Sequence, residues 1–193
     1  MRVFEPARAP RGADGGPLRD PRPYWEATPL DIWDGTQSPA VLLCGKVGPG
    51  KSTLSAQLMY QAVQARTERK RGLWVSELAL FESKMGVYGM EARPRALWDL
   101  AWKVDVLAID ELGGARPSKV NPEGPGSFWR ALADLVGDRV NWDRPTIANS
   151  NLGFAKGEPG RPALMDLCPQ VADRFLMGEV VEVTGASQRG RGR

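Results

Sequence analysis

Residues Gly45-Lys46-Val47-Gly48-Pro49-Gly50-Lys51-Ser52 follow the pattern of a glycine, four residues, then Gly-Lys-Ser. In such a turn consecutive backbone amides converge on phosphate oxygens, and the helix that follows adds its positive N-terminal end. Gly45, Gly48 and Gly50 supply the backbone freedom. Lys51 would bridge the β and γ phosphates as a point charge, while the Ser52 hydroxyl would take one coordination position on Mg²⁺. The candidate nucleotide-binding positions are Gly45, Val47, Gly48, Pro49, Gly50, Lys51, Ser52 and the neighbouring Thr53. The ligand expected is ATP with Mg²⁺. An accidental match in a chain with 22 glycines is the alternative. Context argues against it, since an apolar run precedes the loop and an amphipathic stretch follows.

About 60 residues on, Asp110-Glu111 ends the apolar run VLAI. In a parallel sheet the carboxyl ends of strands gather beside the phosphate loop. The expectation is an acidic pair on an adjacent buried strand. Asp110 would hold Mg²⁺, directly or through its waters, and Glu111 would polarise the water that attacks the γ-phosphate. The bland alternative is a solvated helix cap. Asp105 enters the same strand from the loop side and receives no catalytic part. Asn151, at the tip of the run Pro145-Thr146-Ile147-Ala148-Asn149-Ser150-Asn151, could orient the attacking water, because an amide donates and accepts at once. Asn149 is its rival. Arg174 and Arg189 flank the last strand, and taken alone each reads as a surface charge.

These groups need a scaffold. Ala40–Cys44 is an unbroken apolar run, as a strand buried on both faces requires. The stretch 52–71 has an apolar stripe and ends in charge before Gly72, a helix with a stop signal. Strands are further expected over 73–76, 104–109, 145–151 and 179–183. Helices are expected over 77–85, 95–103, 128–140 and 162–177, and a Gly/Pro-rich loop over 113–127. Strands alternating with helices imply an α/β fold, a mainly parallel sheet covered by helices on both faces. Residues 1–23 read as a disordered basic, Pro-rich arm, 24–38 as an adaptor segment carrying Trp25 and Trp33, 39–185 as the ATPase domain, and 186–193 as a basic tail.

The 193 residues suit one domain. The absence of histidine removes Ser-His-Asp and Cys-His catalysis and histidine zinc sites. Cys44 and Cys168 are too few for a thiolate metal site or a disulfide framework, which fits a reducing cytoplasm. No apolar run approaches a membrane span, so no membrane partner is expected. A formal charge of +3 is compatible with a polyanionic partner. The basic arm and the tail RGRGR read equally well as phosphate-binding ends or as solubilising ones.

The set GKVGPGKST, VDVLAIDELG, RPTIANSNL and VADRFLMGEVVEVTGASQR, in this order, resembles the AAA+ ATPases of the DnaC/IstB type over about residues 38–189. RPTIANSNL looks like that family's PTI-x-TSNL signature, with Asn-Ser-Asn in place of its Thr-Ser-Asn. The ending is similar to the family's DRL...VVE...G-x-S-x-R. The resemblance implies a P-loop NTPase, an AAA+ core without a sizeable lid domain. It implies Asn151 as sensor 1, Arg174 as an arginine finger reaching a neighbouring subunit's nucleotide, and Arg189 as a sensor 2-like arginine. An arginine finger in trans implies a homo-oligomer. Replicative helicase and single-stranded DNA are the implied partners of a helicase loader. A transposition helper of the IstB kind is the alternative, and a small P-loop kinase is the alternative of another class.

Overall fold

The computed structural model describes residues 2–4, 33, 38–48, 50–65, 71–85, 93–114, 124–157 and 162–185. The strands are β1 (Arg2–Phe4), β2 (Ala40–Cys44), β3 (Gly72–Ser76), β4 (Val106–Asp110), β5 (Thr146–Asn149) and β6 (Glu179–Val183). The helices are α1 (Lys51–Gln64), α2 (Glu77–Met85), α3 (Arg93–Lys103), α4 (Gly124–Asn141), α5 (Leu164–Leu167) and α6 (Pro169–Leu176). All pairings are parallel, in the order β1-β6-β2-β5-β4-β3.

Alternation along the buried strands sorts side chains to the two faces. Val41, Leu43, Val106, Ala108 and Ile147 meet Leu54, Leu58 and Ala62 of α1. Ala40, Leu42, Leu107, Ile109 and Ala148 pack with Phe128, Leu132 and Leu135 of α4 and with Phe175 of α6 on the other face. Each fully buried leucine or phenylalanine contributes roughly 1.5–3 kcal/mol. Trp33, from the segment expected to act as an adaptor, is buried on the α1 face, its indole N–H donating to the Ser38 carbonyl at 2.6 Å.

At the N-terminal end of the strands, remote from the phosphate loop, the buried Arg139 donates to Thr146 Oγ1 at 2.9 Å. It also donates to the carbonyls of Ala101, Val104 and Pro145 at 2.8, 2.9 and 3.0 Å. This guanidinium ties the entries of β4 and β5 to α3, a set of donors in a rigid fork that matches fixed carbonyls. Asp105 lies just before β4 and accepts from the Arg71 amide at 3.2 Å, a structural role.

Several expectations are corrected. Residues Arg2–Phe4 of the supposed disordered arm form β1 beside β6, in register Arg2↔Val181 to Phe4↔Val183. Backbone pairing asks little of side chains, and it covers what would otherwise be an open edge. The strand carrying Asp110 is not adjacent to β2, because β5 lies between them. Helix α4 starts at Gly124, inside the stretch read as loop, and α3 starts at Arg93; proline is tolerated in a helix's first turn. The single helix expected over 162–177 breaks at Cys168, since Pro169 has no N–H to continue it and instead starts α6.

Candidate active site

The phosphate loop leaves β2 at Gly45, whose φ is 127°. A Cβ there would lie 2.6 Å from the Val183 carbonyl oxygen, so the loop's first position admits only glycine beside β6. Gly48 and Gly50 also have left-handed φ, at 110° and 95°. Helix α1 then begins without a side-chain cap and without an acidic residue in its first turn. Its N-terminal amides and positive dipole end therefore face the cleft without a cap from the helix's own side chains, an arrangement that suits an anion. Lys51 is only 4% exposed, and its ammonium donates to the carbonyls of Gly45 at 2.9 Å and Lys46 at 2.5 Å.

The acidic pair reaches the loop across β5. Ser52, in the first turn of α1, donates from Oγ to Asp110 Oδ1 at 3.5 Å. Helix α1 lies over β4 and β5, which brings a residue after β2 to a strand two places away. Asp110 Oδ1 also accepts from the Glu111 amide at 3.0 Å. Glu111 is exposed and left-handed, with φ 60°, a conformation that costs a non-glycine residue about 1–3 kcal/mol.

A cleft is lined by Gly48, Gly50, Lys51, Ser52, Thr53, Asp110, Glu111, Asn149 and Asn151. Polyphosphate and a hard cation fit this donor set: an ammonium, helix N-terminal amides, and a hydroxyl converging with a carboxylate. The rival asparagines divide. Asn149 is buried; its Oδ1 accepts from the Glu111 amide and its Nδ2 donates to Ser55 Oγ of α1, both at 3.2 Å. Asn151 lines the cleft, and its amide has no hydrogen bond among the described residues.

Other expected positions lie apart. Val47 is exposed on the loop, and Gly45 lines a neighbouring cavity. Arg174, on α6, lies against α4, where a Cβ on Gly137 would meet its Nε at 3.2 Å; it does not line the cleft. Pro49 and Arg189 fall outside the described residues.

Sequence reading missed three groups. Glu77 is fully buried, and its Oε2 accepts from the amides of Gly113 and Gly114. Ser150 Oγ donates to the Leu112 carbonyl at 2.6 Å, and Ser55 holds Asn149. A glutamate directly after a strand was the available signal, but only the strand order puts it beside Asp110. Both thiols are buried. Burial, then the charge of Glu182, pushes Cys44 up to about 11; burial, then Glu77, pushes Cys168 up to about 12.

No family model matches the chain, and no curated protein matches it in sequence. Solved structures do. DnaI is similar over 95% of this chain and 97% of its own, with 18% identity and a TM-score of 0.56. The DnaC helicase loader is similar over 84% of this chain and 85% of its own, with 15% identity and a TM-score of 0.51. The replication initiator DnaA bound to AMPPCP and single-stranded DNA is similar over 86% of this chain, with 15% identity and a TM-score of 0.53. The chain spans less than half of that DnaA chain, 44%. Together with the sheet order and the glycine loop, these likenesses show the α/β P-loop NTPase fold that the resemblance to DnaC-type AAA+ proteins implied.

Proposed function

We propose that this chain is an Mg²⁺-dependent ATPase of DNA replication. In this reading it assembles on a replicative helicase or single-stranded DNA when ATP is bound and lets go on hydrolysis. The observation that carries the ATPase reading is the meeting of Ser52 Oγ and Asp110 Oδ1, 3.5 Å apart, in the cleft that Lys51 and Glu111 also line. Likeness in fold to the DnaC helicase loader and to a DnaA bound to single-stranded DNA supports the choice of process and partners.

The loop amides and Lys51 bind the triphosphate, Lys51 exchanging loop carbonyls for phosphate oxygens. Ser52 and Asp110 would hold Mg²⁺, which when bound offsets the charge that builds on the phosphate oxygens. Glu111 accepts a proton from water as the water oxygen bonds to the γ-phosphorus and the bond to the β–γ bridging oxygen breaks. Asn151 orients that water. The commitment of Asn149 to Glu111 and Ser55 supports this choice between the two.

Arg174 is assigned to the γ-phosphate of a neighbouring subunit. Its place outside its own cleft supports a role in trans and therefore a homo-oligomer. Arg189 is assigned to the nucleotide as a sensor 2-like group. Among the described residues no helix is long and apolar enough to cross a membrane, and a cytoplasmic setting is part of the proposal.

The test is ATP turnover with and without single-stranded DNA, together with capture of the replicative helicase in ATP, in ADP and in neither. Hydrolysis that rises with protein concentration, and capture in ATP alone, are expected. Arg174→Ala should lower turnover by about 10³-fold and flatten its dependence on protein concentration. An absence of both turnover and ATP-dependent capture sinks the reading.

A further inference from the structure

Glu77 opens α2 immediately after β3, and β3 pairs with β4 so that Ser76 stands opposite Asp110. The side chain is fully buried. Burying a carboxylate costs several kcal/mol unless hydrogen-bond donors meet its charge. Here the donors are the backbone amides of Gly113 and Gly114, both to Oε2, the second at 3.1 Å. The Gly114 amide also donates to the Glu111 carbonyl at 2.8 Å, so the carboxylate grips the peptide that closes the turn back onto Glu111.

The opposite side of the turn is held by β5 and the residue after it. The Leu112 amide donates to the Asn149 carbonyl at 2.8 Å, and Ser150 Oγ to the Leu112 carbonyl. Side chains at the two glycines would break this fit. A Cβ on Gly113, whose φ is 81°, would lie 2.8 Å from Leu152 Cδ1, and one on Gly114 would lie 2.8 Å from the Glu111 carbonyl oxygen. Glu111 keeps a left-handed backbone at an exposed position. A non-glycine residue does so where the surroundings over-determine it.

We infer that Glu77 is a positioning residue for hydrolysis. Its buried carboxylate clamps the amides of Gly113 and Gly114 and thereby fixes the turn that aims Glu111 into the cleft. The inference rests on the reading of Glu111 as the group that activates water. Glu77 is buried and does not line the cleft, and it acts on the turnover step rather than on binding.

The experiment compares wild type, Glu77→Leu, Glu77→Asp and Glu77→Gln in the full chain. It measures kcat and KM for ATP, affinity for a fluorescent ATP analogue, and amide exchange at Gly113 and Gly114. In Glu77→Leu, kcat should fall by about tenfold or more while nucleotide affinity stays within about twofold. Exchange at both glycines should quicken. Glu77→Gln keeps an acceptor oxygen at the same reach and should recover most of the rate. Glu77→Asp keeps the charge but withdraws it by one methylene, and it should resemble Glu77→Leu; it decides the matter if the leucine variant does not fold. Wild-type kcat in the aspartate or leucine variant, or a loss of affinity that matches the loss of rate, overturns the inference. Wild-type protein that hydrolyses no ATP overturns the ATPase reading itself, a result visible before any variant is compared.

Discussion

In the phosphate loop, Lys51 donates to the carbonyls of Gly45 and Lys46, six and five residues earlier, so the loop closes on itself. The turn after Asp110 is held from outside, by Glu77 on one side and by Asn149 and Ser150 on the other. Both border one cleft. A contiguous loop can bind polyphosphate with its own amides and ammonium. The turn acquires its shape only when two remote segments are packed against it. On the proposed function, nucleotide binding is thus mainly a local property of the chain, whereas hydrolysis depends on the assembled sheet.

The largest expected effects separate the two regions directly. Lys51→Ala should weaken ATP binding by about 100-fold or more, because a buried charge-assisted contact is lost. Glu111→Gln should leave the dissociation constant nearly unchanged and lower kcat by about 10²–10⁴-fold. Isothermal titration and single-turnover kinetics on both variants decide the point. Equal loss of binding in the two would break the division into a binding loop and a hydrolytic turn.

A smaller effect comes from adding one methyl group at Gly113. Alanine there must adopt a φ of 81° with its Cβ 2.8 Å from Leu152 Cδ1 and 3.0 Å from Leu164 Cδ1. Gly113→Ala should cost about 1–3 kcal/mol of stability. It should also depress kcat more than ATP affinity. Gly45→Ala, with its Cβ 2.6 Å from the Val183 carbonyl oxygen, should do the reverse and damage affinity first. Thermal unfolding and the split between kcat and KM measure both.

The same difference explains what could be read from the residues in order. The loop, the apolar strands β2 and β4, helix α2 at Glu77–Met85 and strand β6 at Glu179–Val183 carry local signals of spacing and hydrophobicity, and the structure shows each of them. The insertion of β5 between β2 and β4 has no local signal, because neighbouring strands are chosen by packing rather than by chain order. Glu77 stayed without a role for that reason, since a glutamate at a helix start also serves as an ordinary first-turn charge. Arg2–Phe4 could not be recognised as a strand among the prolines and arginines that follow it, because what holds it is the free edge of β6. Asn149 and Asn151 are alike in sequence, and only the contacts to Ser55 and Glu111 tell them apart.

The smallest expected effects are read by the two thiols, one behind each region. Cys44 ends β2 beneath the loop, with its Sγ 3.6 Å from the Val181 carbonyl oxygen, and Cys168 lies near the charge of Glu77. Their pKa values, about 11 and about 12, stand above the ordinary 9.0, so between pH 9 and those values the folded chain keeps protons that the unfolded chain has lost. Their contribution to stability is therefore complete below pH 9 and falls as pH rises toward 11 to 12; alanine at both positions should flatten that part of the unfolding profile. At pH 8 neither native thiol is ionised, and a thiol reagent reacts only when its region opens. If the loop is the part that a ligand completes, Mg-ATP should slow labelling of Cys44 severalfold and leave Cys168 almost unchanged. Equal protection of both thiols would mean that loop and turn open together, and binding could no longer be assigned to the loop alone.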